Sequence, residues 1–432
     1  MARVTFFAPD LAETAQQRRI RSFAAAGHQV RSVSMHKGAA PVIDWPDTSL
    51  GRIAEQQLWQ RLVVALRGMA RLWAQRDDLR AADLIVARNL DMVVLALIAR
   101  AMAGARGLPI LYEVLDIHRL LTGRGAASRL ARWVERRALA RVALLVVSSP
   151  GFITGYFQPS QGFAGRWLLV ENKLWFPGPP LPRPSSDPTN RLTNDPANRP
   201  VNRPTNDSTN DPTNHPTNDT GYNPTNDPAN APANHPADPD RPLTLGWVGA
   251  IRCQPSLQLL LATAAAMGPR LRIVIHGVIH HHALPDFAAR IAAQPNVGYA
   301  GPYRYPDGLA QVYGACDLVW AQDLWQAGAN SDWLLPNRIY EASWFGCPSV
   351  AVLGTQTAAK IMAEGLGFVI DAATPQALTA CLGALTAARR DIAVSTILAR
   401  PDNAFRLTDT TINAIVTAAT ALAATKVSEP AT

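Results

Sequence analysis

Short apolar runs alternate with stretches of helical spacing along most of this chain. Near the start, "RVTFFAPD" reads as a strand, residues 12–26 carry helical periodicity that stops at Gly27, and "HQVRSVSM" reads as the next strand. Then come "ADLIVARN", a helix through Met102, "LPILYEVLD", a basic helix over 129–141, "ALLVVSS" and "RWLLVENK". A second series repeats the plan with "LTLGWVGAI", "LRIVIHG", "NVGYAGPY", "DLVWAQ", "PSVAVL" and "GFVID", each followed by a helical stretch. Apolar runs of this kind predict parallel strands covered on both faces. The expected class is α/β: two Rossmann-like, doubly wound domains facing a cleft, with ligands at the carboxyl ends of the strands.

Between the two series the pattern vanishes. From Asp187 the chain runs "DPTNRLTNDPANRPVNRPTN" and keeps an x-Pro-Thr/Ala-Asn phase to about Asp240. With almost no apolar side chain to bury and a proline in most units, this segment is expected to stay extended and unfolded, as a linker. It divides the chain into a first domain over 1–176, a linker over 177–241 and a second domain over 242–425.

Composition narrows the function classes. The 432 residues suffice for two cores, and 48% of them are apolar, which excludes a disordered chain. A formal net charge of +8 favours an anionic partner, whether phosphate, nucleic acid or acidic lipid. The arginines are scattered and no nucleic-acid module is recognisable, so nucleic acid is not the expected partner. Cys253, Cys316, Cys347 and Cys381 lie far apart, without metal-type spacing, and read as small buried residues in a reducing compartment. The opening "MARVTFFAPDLAE" has no charged leader, and no apolar run reaches the ~18–20 residues that span a bilayer. A cytoplasmic protein is expected, touching a membrane at most peripherally.

The stretch "LPNRIYEASWFGCPSVA" carries the sharpest chemistry. In a helix beginning near Pro336, Asn337 and Arg338 sit at the positive end, where backbone N–H groups and a forked guanidinium suit a phosphate. Glu341, three residues after Arg338, shares their face and fits the hydroxyl pair of a ribose one turn along. The same residues also fit a capping asparagine with an Arg–Glu pair on a solvated face. In "GWVGAIRCQPSL", Gly249 ends a strand and Arg252 precedes a helix, a turn that lets backbone and guanidinium approach a diphosphate.

These motifs, in this order with "NVGYAGPYRYPDGLAQVYGACDLVWAQ" and "GLGFVI", resemble the nucleotide-sugar half of GT-B glycosyltransferases of the group 1, family 4 kind. The resemblance implies that Glu341 binds the donor ribose, that Gly346 and Pro348 form the following turn, and that Arg252 and Arg338 meet the phosphates. It also implies a metal-independent reaction without a cofactor, a nucleotide-diphosphate sugar as donor, and retention of anomeric configuration. Many members carry a second glutamate eight positions earlier, beside the transferred sugar; here Trp333 stands there with Asp332 adjacent, so either Asp332 substitutes or the feature is absent. The first domain, through "ARNLDMVVLALIARA" and "LYEVLDIHRLL", resembles enzymes that build succinoglycan-type exopolysaccharides, although "APDLAET" replaces their glycine-rich first loop. Their acceptors are saccharides, often lipid-linked.

On that resemblance, Asp116 and His118 lie just past a strand end, with His118 orienting the acceptor or hydrogen-bonding the transferred sugar, and Asp116 either its partner or in contact with the acceptor hydroxyl. A capping or core role is open for both. Glu113 points to the other strand face and reads as structural, while Asp10 and Glu13 in the first loop are acceptor-side candidates. The triplet of His280, His281 and His282 has neither ligand spacing nor accompanying cysteines or carboxylates, so no metal is expected. The segment 58–76 pairs apolar residues with Arg61, Arg67, Arg71 and Arg76, and suits either an anionic bilayer or packing on the sheet. Two other functions fit the same fold: a nucleotide-sugar epimerase, for which the full set of carboxylates and histidine is not evident, and a non-catalytic nucleotide- or saccharide-binding scaffold.

Overall fold

The structure, a computed structural model, describes residues 1–53, 58–185 and 241–427, with the side chains of 58–62 and 422–427 excepted. Seven strands form the first sheet: β1 (Arg3–Ala8), β2 (Gln29–His36), β3 (Asp47–Arg52), β4 (Leu84–Arg88), β5 (Ile110–Val114), β6 (Leu144–Val147) and β7 (Trp167–Leu169). All neighbours are parallel, in the order β3-β2-β1-β4-β5-β6-β7. Six strands form the second: β8 (Leu243–Ile251), β9 (Leu271–Ile279), β10 (Val297–Gly301), β11 (Leu318–Trp320), β12 (Ser349–Val352) and β13 (Gly367–Ile370). They are again parallel, in the order β10-β9-β8-β11-β12-β13. In each sheet the order reverses beside the first strand, at β1/β4 and at β8/β11, which opens the crevice where such folds hold ligands.

The apolar runs become strands because both faces of each sheet are buried. In the second unit, Leu245, Trp247 and Ile251 face one core, while Val248 belongs to the other with Ile339, Tyr340 and Trp344. In the first, every residue of β4, β5 and β6 is buried. Strand β3, "DTSLGR", has no such apolar run, and sequence periodicity missed it.

The chain forms two compact units, Met1–Glu171 with Leu407–Thr432, and Asn172–Arg406. These boundaries differ from the expected 176 and 242–425 at three places. The helix Asp409–Val427 packs on the helix Thr14–Ala25 and on β4 and β6, so it belongs to the first unit. The residues that follow β7 instead pack in the second unit, where Leu174 and Phe176 are buried in the core that contains Val248. Part of the expected linker is also structured: Arg183 donates to the carbonyls of Trp344, Ile397 and Arg400, and its guanidinium lies over the rings of Trp344 and Phe405 at 5.2 and 5.3 Å. The tetrapeptide repeat itself lies outside the described residues.

The segment 58–76 is not one helix. Leu58–Arg67 and Met69–Ala74 are separate, broken at Gly68, where a Cβ would come within 2.8 Å of Leu50. Among the described residues, no helix is long and apolar enough to cross a membrane.

Candidate active site

In the second unit, the residues singled out by sequence gather at the carboxyl ends of β8 and β11. Strand β8 ends in Gly249 and Ile251, with Arg252 exposed just beyond. Gly249 holds φ +114° and Gly277, its neighbour on β9, φ +136°. A Cβ on Gly277 would stand 1.8 Å from the Gly249 carbonyl oxygen, so Gly277 has no room for a side chain beside the Gly249 backbone. His276, just before, is buried, and burial lowers its imidazole pKa to about 4. His280 and His282, in the turn after β9, place their rings edge to face, 5.7 Å apart.

The helix Asn337–Trp344 begins directly after Pro336, whose extended backbone leads into its first turn. Arg338 is half-buried and donates from Nη1 to the carbonyl of Trp320, the last residue of β11, at 3.3 Å. The side-chain oxygen of Asn337 accepts from Asn172 at 2.6 Å. One turn on, Glu341 is only 6% exposed, which rules out the solvated surface face that the sequence left open. Its Oε2 accepts from the Tyr313 hydroxyl at 2.9 Å. Burial, and then the Glu341 charge, push the Tyr313 and Tyr303 hydroxyls well above their usual pKa, so both remain protonated donors beside a carboxylate. A buried carboxylate fixed by one tyrosine, a guanidinium one turn nearer the helix start, and a glycine-lined strand end therefore occur together.

The loop between β11 and this helix is held by residues that sequence reasoning passed over. Asp323 Oδ1 accepts from the Ser331 hydroxyl at 2.7 Å and from the Trp325 amide at 2.6 Å. The Gln322 side chain, fully buried, bonds to the Ser331 carbonyl at 3.3 Å and to the Thr355 hydroxyl at 3.0 Å. Asp332, expected beside the transferred sugar, accepts from the Gly328 amide at 3.0 Å and so ties its own loop; partial burial raises its pKa. The strand-end rule would have found Gln322 and Asp323, since they follow "DLVWA" at the switch point. Nothing local marks Tyr313, which meets Glu341 across 28 positions.

In the first unit, the acceptor-side candidates divide. His118 caps the short helix Arg119–Thr122 by accepting the Leu120 amide at Nδ1, 3.1 Å away, so its proton sits on Nε2. The capping role left open by sequence is thus realised, and both His118 and Asp116 are exposed. Asp10 is buried and committed to its loop, accepting from the amides of Ala12 and Lys37 and pairing with the Lys37 ammonium at 3.4 Å. Glu13 is exposed at the start of the helix Thr14–Ala25, without a side-chain cap bond. Glu113, read as structural, is clamped by Arg19 Nε at 2.6 Å and Arg88 Nε at 2.9 Å, all three buried.

Residues 12–173 match the "Glycosyl transferase 4-like domain" family. The succinoglycan biosynthesis protein ExoL of Rhizobium meliloti (strain 1021) is 32% identical over 389 residues, 89% of this chain and 85% of that protein. Among solved structures, HepE of Anabaena in complex with UDP and glucose superposes with a TM-score of 0.59 at 15% identity, covering 96% of this chain and 98% of that one. Sucrose-phosphate synthase of Thermosynechococcus elongatus gives 0.63 at 14% identity, covering 99% and 97%. At such identity these two likenesses concern the fold alone. Two parallel-sheet α/β units with this strand order, together with the family match and the relative, identify the chain as a glycosyltransferase of the GT-B type that belongs to the same family as ExoL and carries a glycosyl transferase 4-like domain over 12–173.

Proposed function

We propose that this glycosyltransferase moves a sugar from a nucleotide-diphosphate donor to a saccharide or lipid-linked saccharide acceptor during exopolysaccharide assembly. The observation that carries the donor half is the buried Glu341 carboxylate, held by Tyr313 one turn beyond Arg338. In this reading Glu341 accepts from the ribose hydroxyls, and the diphosphate lies against Gly249, Arg252, Arg338 and the start of the helix Asn337–Trp344. As the sugar–phosphate bond breaks, negative charge grows on the diphosphate, and the two guanidinium groups stabilise it more than they stabilise the ground state. That charge compensation comes from protein groups, so the reading calls for no metal ion or cofactor. The side-chain oxygen of Asn337 orients the helix start through Asn172. His118 and Asp116 act on the acceptor. The relative's exopolysaccharide role and the UDP bound by HepE support the acceptor and donor classes respectively. Retention of configuration follows the family resemblance, with Asp332 as the carboxylate beside the transferred sugar.

Calorimetric titration of UDP, GDP and ADP tests the donor half. Binding of one nucleotide with micromolar or tighter affinity is expected. No heat from any of the three, with cooperatively melting protein, would refute the donor assignment and favour the scaffold alternative.

A further inference from the structure

One face of the first sheet is covered by a layer of helices, Met69–Ala74 and Arg76–Ala81 against Asn89–Met102, and that helix against Ala126–Leu139. The last of these buries Ser128, Glu135, Ala138 and Leu139. Its outer side is unusual for a water-facing helix. Leu130 and Trp133 stand one turn apart there, 62% and 52% exposed. The stretch 123–141, "GRGAASRLARWVERRALAR", contains six arginines and a single acid, Glu135. That acid is turned inwards, where Tyr112, Tyr156 and Gln161 donate to it. Arg124, Arg129, Arg136, Arg137 and Arg141 are exposed, so the outer side has positive charge without a balancing carboxylate of its own.

The guanidinium of Arg137 lies 5.3 Å from the Trp133 ring centroid, which keeps cation and indole together in one anchor. A second cation–indole pair lies on the same layer, where Trp73 is 50% exposed, Arg76 lies over it at 5.0 Å and Leu66 is also exposed, although there Asp77 pairs with Arg76 and Arg80. Large apolar side chains ringed by arginines match a headgroup–acyl boundary: indole and leucine enter the boundary while guanidinium groups meet lipid phosphates. A protein partner for this face would need a matching acidic surface, whereas an anionic bilayer supplies both components at once.

We propose that this face, centred on Leu130 and Trp133, docks the enzyme on an anionic lipid bilayer. The inference deepens the lipid-linked acceptor reading and rests on it for its purpose, though its residues are independent of the donor site. It also moves the contact expected over 58–76 to a surface built by several helices, in which that segment contributes Trp73 and Leu66.

Cosedimentation of the full chain with phosphatidylcholine vesicles, with and without phosphatidylglycerol, tests the idea. Binding is expected only with the anionic lipid, falling as salt rises. The Leu130→Ser/Trp133→Ser double variant should lower partitioning about tenfold or more, and Arg129→Ser/Arg137→Ser should flatten its salt dependence. Calorimetry with UDP and a thermal melt on the same samples should be unchanged, which separates loss of docking from loss of fold or of the donor site. If wild type ignores anionic vesicles, binds neutral ones equally, or binds undiminished in the Leu130/Trp133 variant, the proposal is overturned. Failure of UDP binding with intact vesicle docking would instead refute only the donor site.

Discussion

Glu341→Gln isolates the charge of one carboxylate while preserving its shape and an acceptor for Tyr313. Glu341 is 6% exposed and its Oε2 accepts from the Tyr313 hydroxyl at 2.9 Å. If the carboxylate accepts from a ribose hydroxyl pair in the complex, at least one charge-assisted hydrogen bond is lost on substitution. Such bonds contribute about 1.5–3 kcal/mol, so UDP affinity should fall about 10- to 150-fold. Because glutamine still accepts from Tyr313, the midpoint of urea unfolding should shift little, whereas Glu341→Ala leaves a buried hydroxyl unsatisfied and should cost a further ~1–3 kcal/mol of stability. The assay is calorimetry with UDP and with 2′,3′-dideoxy-UDP on both proteins. Wild type should lose affinity for the dideoxy ligand by a similar factor, and the Gln variant should be nearly indifferent to the missing hydroxyls. Equal affinity of wild type for the two ligands, or undiminished UDP binding by Glu341→Gln, would refute the ribose assignment.

Other consequences follow from the buried charges and close-packed glycines. Burial alone would raise the Glu113 pKa, but the charges and hydrogen bonds of Arg19 and Arg88 outweigh it and hold the pKa below its ordinary value. Its stabilising contribution is therefore present above the unfolded-state pKa and is lost as pH falls through the folded one. Glu113→Ala should destabilise by about 3–5 kcal/mol in urea titrations at neutral pH, since it strands two buried guanidinium groups. For His276, with a folded pKa of about 4, the unfolded state binds the extra proton first. Stability should fall from about pH 6.5 towards 4 by about 3 kcal/mol, and His276→Gln should remove that part of the slope. Gly277→Ala, whose Cβ would meet the Gly249 carbonyl oxygen at 1.8 Å, should destabilise clearly more than Gly249→Ala, which has open space, as read by thermal melting.

Twelve of the thirteen strands among the described residues were legible as apolar runs in the sequence, most of them because burial on both faces of a parallel sheet leaves a local imprint. The exception, Asp47–Arg52, is polar and lies at the sheet edge, where one flank has no strand to match. Helix starts at Pro255 and Pro336 were legible for a similar reason, since proline is tolerated where the first N–H has no helical partner. The candidate donor-site residues were picked out by charge placed against a greasy background; their partners were not. Tyr313 and Glu341 are 28 residues apart, and Arg19 and Glu113 are 94 apart, and no local pattern encodes such pairings. The exposed face at Leu130 and Trp133 was hidden too, because helical spacing cannot say which stripe turns inwards.

By itself, then, the sequence determined the class of fold, the two-sheet plan and the short list of charged residues at strand ends. Each of these depends on composition within a few neighbouring residues. Only the tertiary structure decided that 409–427 packs with the first unit, that 172–185 packs with the second, and that Glu341 is buried on Tyr313. Those outcomes depend on which distant surfaces exclude water together, a property of the folded chain and not of any window along it.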